Sequence, residues 1–564
     1  MTKTNGSKND YKVVIAYLRP PHSDTTPGMS GTFEHIGIQF LKAAIQDLCD
    51  TKIIDGYAQN FRTEDVLEKI KIINPNFVGF SPTVETMNDI LCVANELKKF
   101  NSNMHICLGG HHATLCAEDI LVNEFCIDTI VMGGDGEETL RELIECLLNK
   151  KDYSNCLSVA CRINKKIKVN KWRPPTEPFD KINIPVRDTI SEISKYKWDG
   201  SARINTSRGC IYGRCTFCTV PDIFGCKWRA YSAEKALEQI TQLYNKYHVK
   251  FLWFSDDQFV NSLPESVERA KTIAKGLIEK KLNLYIRLMC RADDFTRDKE
   301  LIPLLYKAGW RIALVGFEAG NNRTLKTWQK GLTKQKSIEF SNILKENKIE
   351  IQAGFIMFDP TNTVDEIKEN IEFLYELKQT RFLANTVRRL RMIPGTQIYR
   401  DYLKLGLVSS DFNYKSSSYD YKFADDIVGK FAWWIDDVYM RNKKYDDTFW
   451  SILNLHLPIF TEKMFEKYGE NDRIVQELRK MKVDTEQYMN KLNYEFFVNA
   501  LDEARTNIEN LKNLNTEEYE NKFIEQSNIL DGKFKAIYKE YAQKINYPFL
   551  MFNFTHDGYT EVVY

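Results

Sequence analysis

The chain has 564 residues, of which 43% are hydrophobic and 27% charged, and 78 basic residues face 77 acidic ones. These are ordinary values for globular proteins, and the length suggests two to four domains. The balanced charge argues against a nucleic-acid protein that binds through bulk electrostatics, although a local basic patch stays open. The first ten residues are polar and the apolar runs are short, so we expect no signal peptide, no membrane span and a cytoplasmic protein.

The first 155 residues alternate between strand and helix patterns. Apolar strands are predicted at 11–18, 51–54, 76–80, 104–108 and 128–132. Strands separated by helices predict a doubly wound parallel sheet, in which ligands bind beyond the carboxyl ends of the strands. Those ends carry Ser81 and Thr83, then Gly109 and Gly110, then Gly133, Gly134 and Glu137. The glycines permit close approach of a ligand to the backbone, or they serve only tight turns.

Three further segments follow. Residues 156–198 contain four prolines and no clear periodicity, so they are predicted to be a linker. Six strand–helix units between 199 and 405 predict a partial (β/α)6 TIM barrel, with its chemistry at the carboxyl ends of the strands. From 406 to 564 the patterns are helical, including 473–491, 493–514 and 518–542, and they predict a mostly helical C-terminal domain.

Three of the 13 cysteines are clustered, because Cys210, Cys215 and Cys218 fall within nine residues. Thiolates are the ligands of iron–sulfur clusters, and three on one loop can bind three irons of a cubane and leave the fourth iron for a small molecule. Zinc is the structural alternative, but it requires four ligands, and Cys226 is the one nearby fourth thiol. Unligated thiols are a further alternative. The eight cysteines before residue 162 lack regular spacing and are predicted to be buried thiols.

The cysteine loop resembles the signature of the radical S-adenosylmethionine (SAM) superfamily, C-x3-C-x2-C with an aromatic residue before the last cysteine. The second half fits, with Phe217 before Cys218, whereas the first gap has four residues instead of three. Glu318, in the row Gly-Phe-Glu-Ala-Gly, resembles the glutamate of the fourth barrel strand. Asp256 and Arg291 resemble residues at the ends of the second and third strands.

The resemblance implies that these three cysteines hold a [4Fe–4S] cluster. Reductive cleavage of SAM there would yield methionine and a 5′-deoxyadenosyl radical. Phe217, Asp256, Arg291 and Glu318 would contact the SAM site, and no residue beyond the cluster ligands is assigned a catalytic role. The plainer interpretations are a helix cap for Asp256, a surface salt bridge for Arg291 and a surface acid for Glu318. The resemblance also implies an electron donor such as flavodoxin or ferredoxin.

The first 155 residues resemble the cobalamin-binding domain that precedes some radical SAM barrels. The loops at Ser81 and Thr83, at Gly109 and Gly110, and from Gly133 to Glu137 carry this resemblance, and it implies that they contact cobalamin. The Asp-x-His-x-x-Gly signature is absent, so no histidine of this domain is expected to ligate cobalt. The implied reaction is C-methylation of an unactivated carbon, with the methyl group passed from methylcobalamin.

Alternative functions stay open. One is a radical SAM enzyme without functional cobalamin that catalyses cyclisation, rearrangement or another reaction, and another is a non-catalytic iron–sulfur electron-transfer protein. A tRNA-modifying methylthiotransferase is disfavoured, because its three additional cluster cysteines have no counterpart here. The sequence does not identify the substrate, a small molecule or a peptide. Trp433, Trp434 and Trp450 are expected at the barrel mouth or against the substrate.

Overall fold

The computed structural model describes residues 11–20, 34–193, 200–295, 298, 300–545, 551–555 and 558–563. An N-terminal sheet, a barrel sheet and a helical C-terminal domain follow one another, which confirms the predicted fold class. The domain boundaries stay predictions. No helix in these ranges combines the length and the apolar character needed to cross a bilayer.

A seven-stranded sheet forms the N-terminal domain. Its strands are β1 (Lys12–Tyr17), β2 (Asp50–Asp55), β3 (Phe77–Phe80), β4 (His105–Leu108), β5 (Thr129–Val131), β6 (Val159–Ile163) and β7 (Lys166–Val169). Its helices are α1 (Ile36–Ile45), α2 (Thr63–Ile73), α3 (Met87–Phe100), α4 (Gly110–Leu115), α5 (Ala117–Asn123) and α6 (Gly136–Leu148). The order is β2-β1-β3-β4-β5-β6-β7, with β1 to β5 parallel. The order reverses at β1 and β3, so a ligand crevice is expected at their carboxyl ends.

The prediction of an irregular linker over 156–198 is wrong for its first part. Strands β6 and β7 form a hairpin that adds antiparallel to β5 at the edge of the sheet. Its turn residues, Asn164 and Lys165, both have positive φ angles of 48° and 65°, as type I′ hairpin turns require. The remainder holds a 3₁₀ turn (Phe179–Lys181) and α7 (Asp188–Ile193), and 194–199 lie outside the described residues.

The barrel sheet has five parallel strands in the order β14-β13-β12-β11-β8. The strands of this part of the chain are β8 (Ser201–Ile204), β9 (Ser207–Arg208), β10 (Arg229–Ala230), β11 (Phe251–Phe254), β12 (Tyr285–Cys290), β13 (Trp310–Glu318) and β14 (Glu350–Phe355). The helices are α8 (Val220–Phe224), α9 (Ala233–Tyr247), α10 (Pro264–Glu279), α11 (Leu301–Lys307), α12 (Asn322–Thr327), α13 (Lys334–Glu346), α14 (Val364–Glu376) and α15 (Gln397–Lys404).

The strand predicted at 384–392 is not formed. A 3₁₀ turn (Leu383–Thr386) replaces its first half, and its second half pairs with the barrel at one parallel bridge, Phe358 to Arg389. Buried Asp446 accepts hydrogen bonds from the backbone nitrogens of Leu383 at 2.8 Å and Ala384 at 3.1 Å. These N–H groups are therefore not available to a sheet ladder.

The C-terminal domain packs its helices against the barrel, and the two share one hydrophobic core. It contains α16 (Asp426–Ser451), a π-helical turn (Ile452–His456), α17 (Leu457–Tyr468), α18 (Arg473–Thr506), α19 (Asn510–Asn513), α20 (Glu517–Tyr541), β15 (Met551–Thr555) and β16 (Gly558–Val563). The helices predicted at 473–491 and 493–514 are one continuous α18 as far as Thr506. Asn493 stays inside it because its amide donates to Thr380 O at 2.8 Å and accepts from the Tyr519 hydroxyl at 2.9 Å.

Two expectations for side chains are corrected. Trp434 stacks on Phe431 and Phe496 within the helical domain, at 5.9 Å from each, instead of covering the barrel mouth. Among the eight cysteines expected to be buried, Cys92 is exposed and Cys146 is half-buried.

Candidate active site

The loop that carries the three cysteines joins the two strands of a short antiparallel ribbon, β9 and β10, in which Arg208 pairs with Arg229. Gly209 has φ +87°, and a Cβ there would lie 2.0 Å from Lys227 O. Gly213, inside the longer first gap, has φ +52°, and its Cβ would lie 2.4 Å from Cys226 Sγ. Both positions therefore require glycine, and the missing side chain at Gly213 leaves room for Cys226 against the loop.

The three thiols are half-buried beside positive charge. Burial raises the pKa of Cys210 and Cys215, and it raises the pKa of Cys218 to about 12. The charges of Lys330 and Arg291 oppose this effect at Cys215, and Arg291 Nη1 lies 3.8 Å from its sulfur. A half-buried set of three thiols with two cations beside it fits an anionic iron–sulfur cluster, because the cations offset the charge of thiolate ligands.

Glu318 and Arg291, both predicted from the sequence, converge on this loop. Arg291 donates to Lys330 O at 2.9 Å and its guanidinium lies over the Tyr212 ring at 3.9 Å. Lys330 Nζ in turn donates to Glu318 Oε1 at 2.8 Å. Lys330 was missed, since nothing in its neighbouring sequence distinguishes it from a surface lysine.

The two other residues predicted at the SAM site are placed differently. Asp256 is fully buried, and its two oxygens accept from the backbone N–H and the hydroxyl of Thr206, both at 2.6 Å. Asp256 therefore holds the chain after β8 in place, and it does not cap a helix as the plainer interpretation had it. Its neighbour Asp257 accepts from Gly209 N at 2.8 Å and borders the main cavity. Phe217 packs edge-on against Trp328, with ring centroids 5.2 Å apart.

A cavity of about 540 Å³ lies between the carboxyl ends of the N-terminal strands and the cysteine loop. All seven residues predicted to contact cobalamin border it: Ser81, Thr83, Gly109, Gly110, Gly133, Gly134 and Glu137. Thr219 and Asp257 border it from the barrel side. We call the seven residues on the N-terminal side the cradle. Gly110 has φ +83°, and a Cβ there would lie 2.8 Å from Ser81 Oγ, so the cradle depends on this glycine. A glycine-lined cradle at the switch point of the sheet fits a bulky ligand such as cobalamin.

His112 does not point to a ligand role. Its Nε2 lies 2.9 Å from Tyr414 O, and burial lowers its pKa. The expectation that no histidine of this domain ligates cobalt stays a prediction.

Four charged residues, Asp135, Glu137, Arg208 and Arg229, form an interdomain ion cluster. Arg208 donates to both oxygens of Glu137, at 2.6 and 3.1 Å, and to Asp135 at 3.0 Å, while Arg229 donates to Asp135 at 2.5 Å. Burial alone would raise the pKa of Asp135, but the two arginines lower it. The Glu137 carboxylate, predicted to face cobalamin, is therefore bound by a barrel arginine. The acids begin α6 and the arginines are register partners in the ribbon, so the cluster joins the cradle to the base of the cysteine loop.

Comparison with known families identifies both the barrel and the N-terminal domain. The model of the radical SAM superfamily matches residues 204–374, and the model of the B12-binding domain matches residues 29–144. The chain is a radical SAM enzyme with a B12-binding domain. These matches confirm the predicted cofactors: a [4Fe–4S] cluster with SAM, and cobalamin. The roles of the individual site residues stay predictions.

The radical SAM enzyme has several recognisable relatives. It is 29% identical over 366 residues to the "Uncharacterized methyltransferase PH0819" of Pyrococcus horikoshii, covering 64% of this chain and 78% of the relative. It is 30% identical over 265 residues to the 4′-phospho-dehydrooxetanocin synthase of Priestia megaterium, of which it covers 35%. The cobalamin-dependent SAM radical enzyme OxsB, solved with aqua-cobalamin and SAM, superposes with a TM-score of 0.66 over 95% of this chain and 81% of OxsB. At 18% identity, this likeness concerns the fold alone.

Proposed function

We propose that the protein is a cobalamin-dependent C-methyltransferase that acts on an unactivated carbon of a small-molecule or peptide substrate. The observation that carries the proposal is the shared cavity. Gly109 and Gly110 of the cradle border it on one side, and Thr219, next to Cys218, borders it on the other. Group transfer between two cofactors requires that both reach the same substrate, and a cavity that extends from the cradle to the edge of the cysteine loop supports this.

When bound, the cluster and SAM supply a carbon radical and the corrinoid supplies a methyl group. The protein positions these groups. Arg291 and Lys330 place positive charge beside the thiols, and Lys330 holds the Glu318 carboxylate in place. The interdomain ion cluster ties the cradle to the cysteine loop. A flavodoxin or ferredoxin is the proposed electron donor. The methyltransferase name of the Pyrococcus relative supports the reaction class.

The test is anaerobic reconstitution of the full chain, with assays for iron, sulfide and corrinoid and detection of 5′-deoxyadenosine after dithionite reduction. We expect one [4Fe–4S] cluster and one corrinoid per chain, and transfer of deuterated methyl from labelled SAM to the corrinoid. The variant with Cys210, Cys215 and Cys218 all replaced by Ala should form no 5′-deoxyadenosine, whereas Cys92→Ala, at an exposed thiol, should resemble the wild type. Product formation by the triple variant would contradict the proposal. Product without bound corrinoid would favour the reaction without cobalamin.

A further inference from the structure

The concave face of the barrel sheet carries a group of polar side chains that the cofactor sites do not use. The strand register places Arg203, Trp253 and Arg287 side by side on β8, β11 and β12. Arg287 Nε donates to Gln352 Oε1 on β14 at 2.7 Å. Because β13 lies between β12 and β14, this bond crosses the concave side of the curved sheet. These side chains therefore lie in the barrel lumen.

Arg388 lies near Arg287, and the two positive charges repel each other. Within the described parts of the chain, neither Arg287 nor Arg388 has a carboxylate partner, and Arg388 donates one long bond, to Ala353 O at 3.4 Å. Burial, with the nearby charges of Arg203 and Arg388, lowers the pKa of Arg287 to about 9. A buried cation without a counter-ion is costly, so an anion is the expected complement.

Hydrogen-bond donors surround the two arginines. Arg388 Nε and Nη2, Gln352 Nε2 and the Tyr439 hydroxyl are buried and have no partner among the described residues. The carboxylate whose charge acts on Arg388, that of Asp446, accepts the backbone N–H groups of Leu383 and Ala384. Guanidinium and amide N–H groups are donors only, so the group is suited to a ligand rich in acceptors, such as a carboxylate or a phosphate.

The group lies deep in the barrel, apart from the SAM site. Arg287 lies within β12 and Arg291 directly follows it, four residues further along the chain, which is about 13 Å at the rise of a parallel strand. Arg291 contacts Cys215, so Arg287 marks a level well below the cluster loop. Arg287 also borders a second cavity, of about 460 Å³, between the amino ends of the strands and the C-terminal helices. Arg287 therefore belongs to the floor of the lumen.

We infer that the lumen floor is an anion subsite for the substrate, in which Arg287 and Arg388, assisted by Gln352 and Tyr439, bind a carboxylate or phosphate group. The distance along β12 leaves the reacting carbon nearer to the cysteine loop. Calling the ligand a substrate rests on the proposed function. The guanidinium fork binds either anion in two-point geometry, which a lysine at the same position cannot reproduce.

The test measures equilibrium binding of radiolabelled inorganic phosphate and of radiolabelled acetate to the anaerobically reconstituted full chain, without turnover. We expect saturable binding of at least one anion at one site per chain. Arg388→Gln and Arg287→Gln should each weaken it tenfold or more, and Arg388→Lys should weaken it less. Arg505→Gln, which removes an exposed arginine paired with Asp365, is the matched control and should bind as the wild type does. Circular dichroism verifies the fold, and the Arg388→Lys variant decides if the Gln variants do not fold.

Each outcome bears on the subsite. Binding of phosphate alone assigns a phosphate ester, and binding of acetate alone assigns a carboxylate. Absence of saturable binding, or unchanged binding in the Arg287 and Arg388 variants, would overturn the inference. Displacement of the anion by saturating SAM would assign the floor to the SAM carboxylate and overturn the substrate assignment. Because binding is measured without turnover, failure of the wild type to form 5′-deoxyadenosine counts against the proposed function alone.

Discussion

At the scale of single residues, the site holds side chains in states that an isolated residue would avoid. Glu318 has φ +68°, in the left-handed region, where a non-glycine residue costs on the order of 1 kcal/mol or more. The irregular register between Gly316 and Glu318 and the ion pair with Lys330 hold it there. Strain of this kind is concentrated at functional sites, which agrees with the predicted role of Glu318.

His456, in the π-helical turn of the C-terminal domain, provides a pH prediction at this scale. Burial lowers the pKa of His456 from 6.5 to about 4. Between pH 6.5 and 4, this histidine is therefore protonated in the unfolded chain and neutral in the folded chain. Its contribution therefore destabilises the fold as pH falls from 6.5 to 4, by about 3 kcal/mol at pH 4. His456→Phe should make the free energy of unfolding less dependent on pH in this window.

Urea unfolding at several pH values measures this effect as the difference between variant and wild type, in which other titrating groups cancel. His248→Asn changes an exposed histidine and serves as the control. A wild-type-like pH slope in His456→Phe would contradict the prediction.

At the scale of elements, the β9–β10 ribbon connects the two cofactor regions. Its paired arginines bind Asp135 and Glu137 at the start of α6, and Phe224 of α8 packs on Gly134, where a Cβ would lie 1.9 Å from the ring. A charged contact and a close-packed contact thus hold the cysteine loop against the cradle. The position of the loop depends on both domains.

Glu137→Gln tests the interdomain ion cluster. Removing one partner of a buried ion pair leaves Arg208 partly uncompensated, so we expect a loss of about 3 kcal/mol in the free energy of unfolding. Glu138→Gln is the matched control, because Glu138 is half-exposed and lies 3.9 Å from Arg173, so its loss should be below about 1 kcal/mol. Urea unfolding of the full chain gives both values, and equal losses in the two variants would refute the role of the cluster.

At the scale of the whole molecule, the main feature is the cavity between the domains. Residues of the N-terminal domain border it on one side, and residues of the barrel border it on the other. Neither domain encloses it alone. Its shape depends on the glycines that border it, and Gly110 is the clearest case, with its positive φ and its contact to Ser81.

Gly110→Ala should reduce corrinoid binding. The added Cβ would require Ser81 to move and would place a non-glycine residue at φ +83°, which costs about 1–2 kcal/mol. We expect less than half of the wild-type corrinoid content after anaerobic reconstitution, measured by absorbance of the released cofactor. Gly532→Ala, where a Cβ meets nothing within 4 Å, should retain full content. Full loading of Gly110→Ala would show that the cradle does not bind the corrinoid.

The sequence by itself determined the two α/β domains, the cysteine loop and the cradle glycines, because these depend on local periodicity and on short motifs. Tertiary contacts decided the rest. Asp256 faces inward because Thr206 donates hydrogen bonds to both of its oxygens. Glu137 binds Arg208 of the barrel. Asp446 accepts a backbone N–H group of the predicted sixth strand, which therefore does not join the barrel sheet. Lys330 and the arginines of the lumen floor have no local signal, since strands distant in sequence bring them together. Burial and charge pairing act between such segments, so a linear pattern cannot specify them.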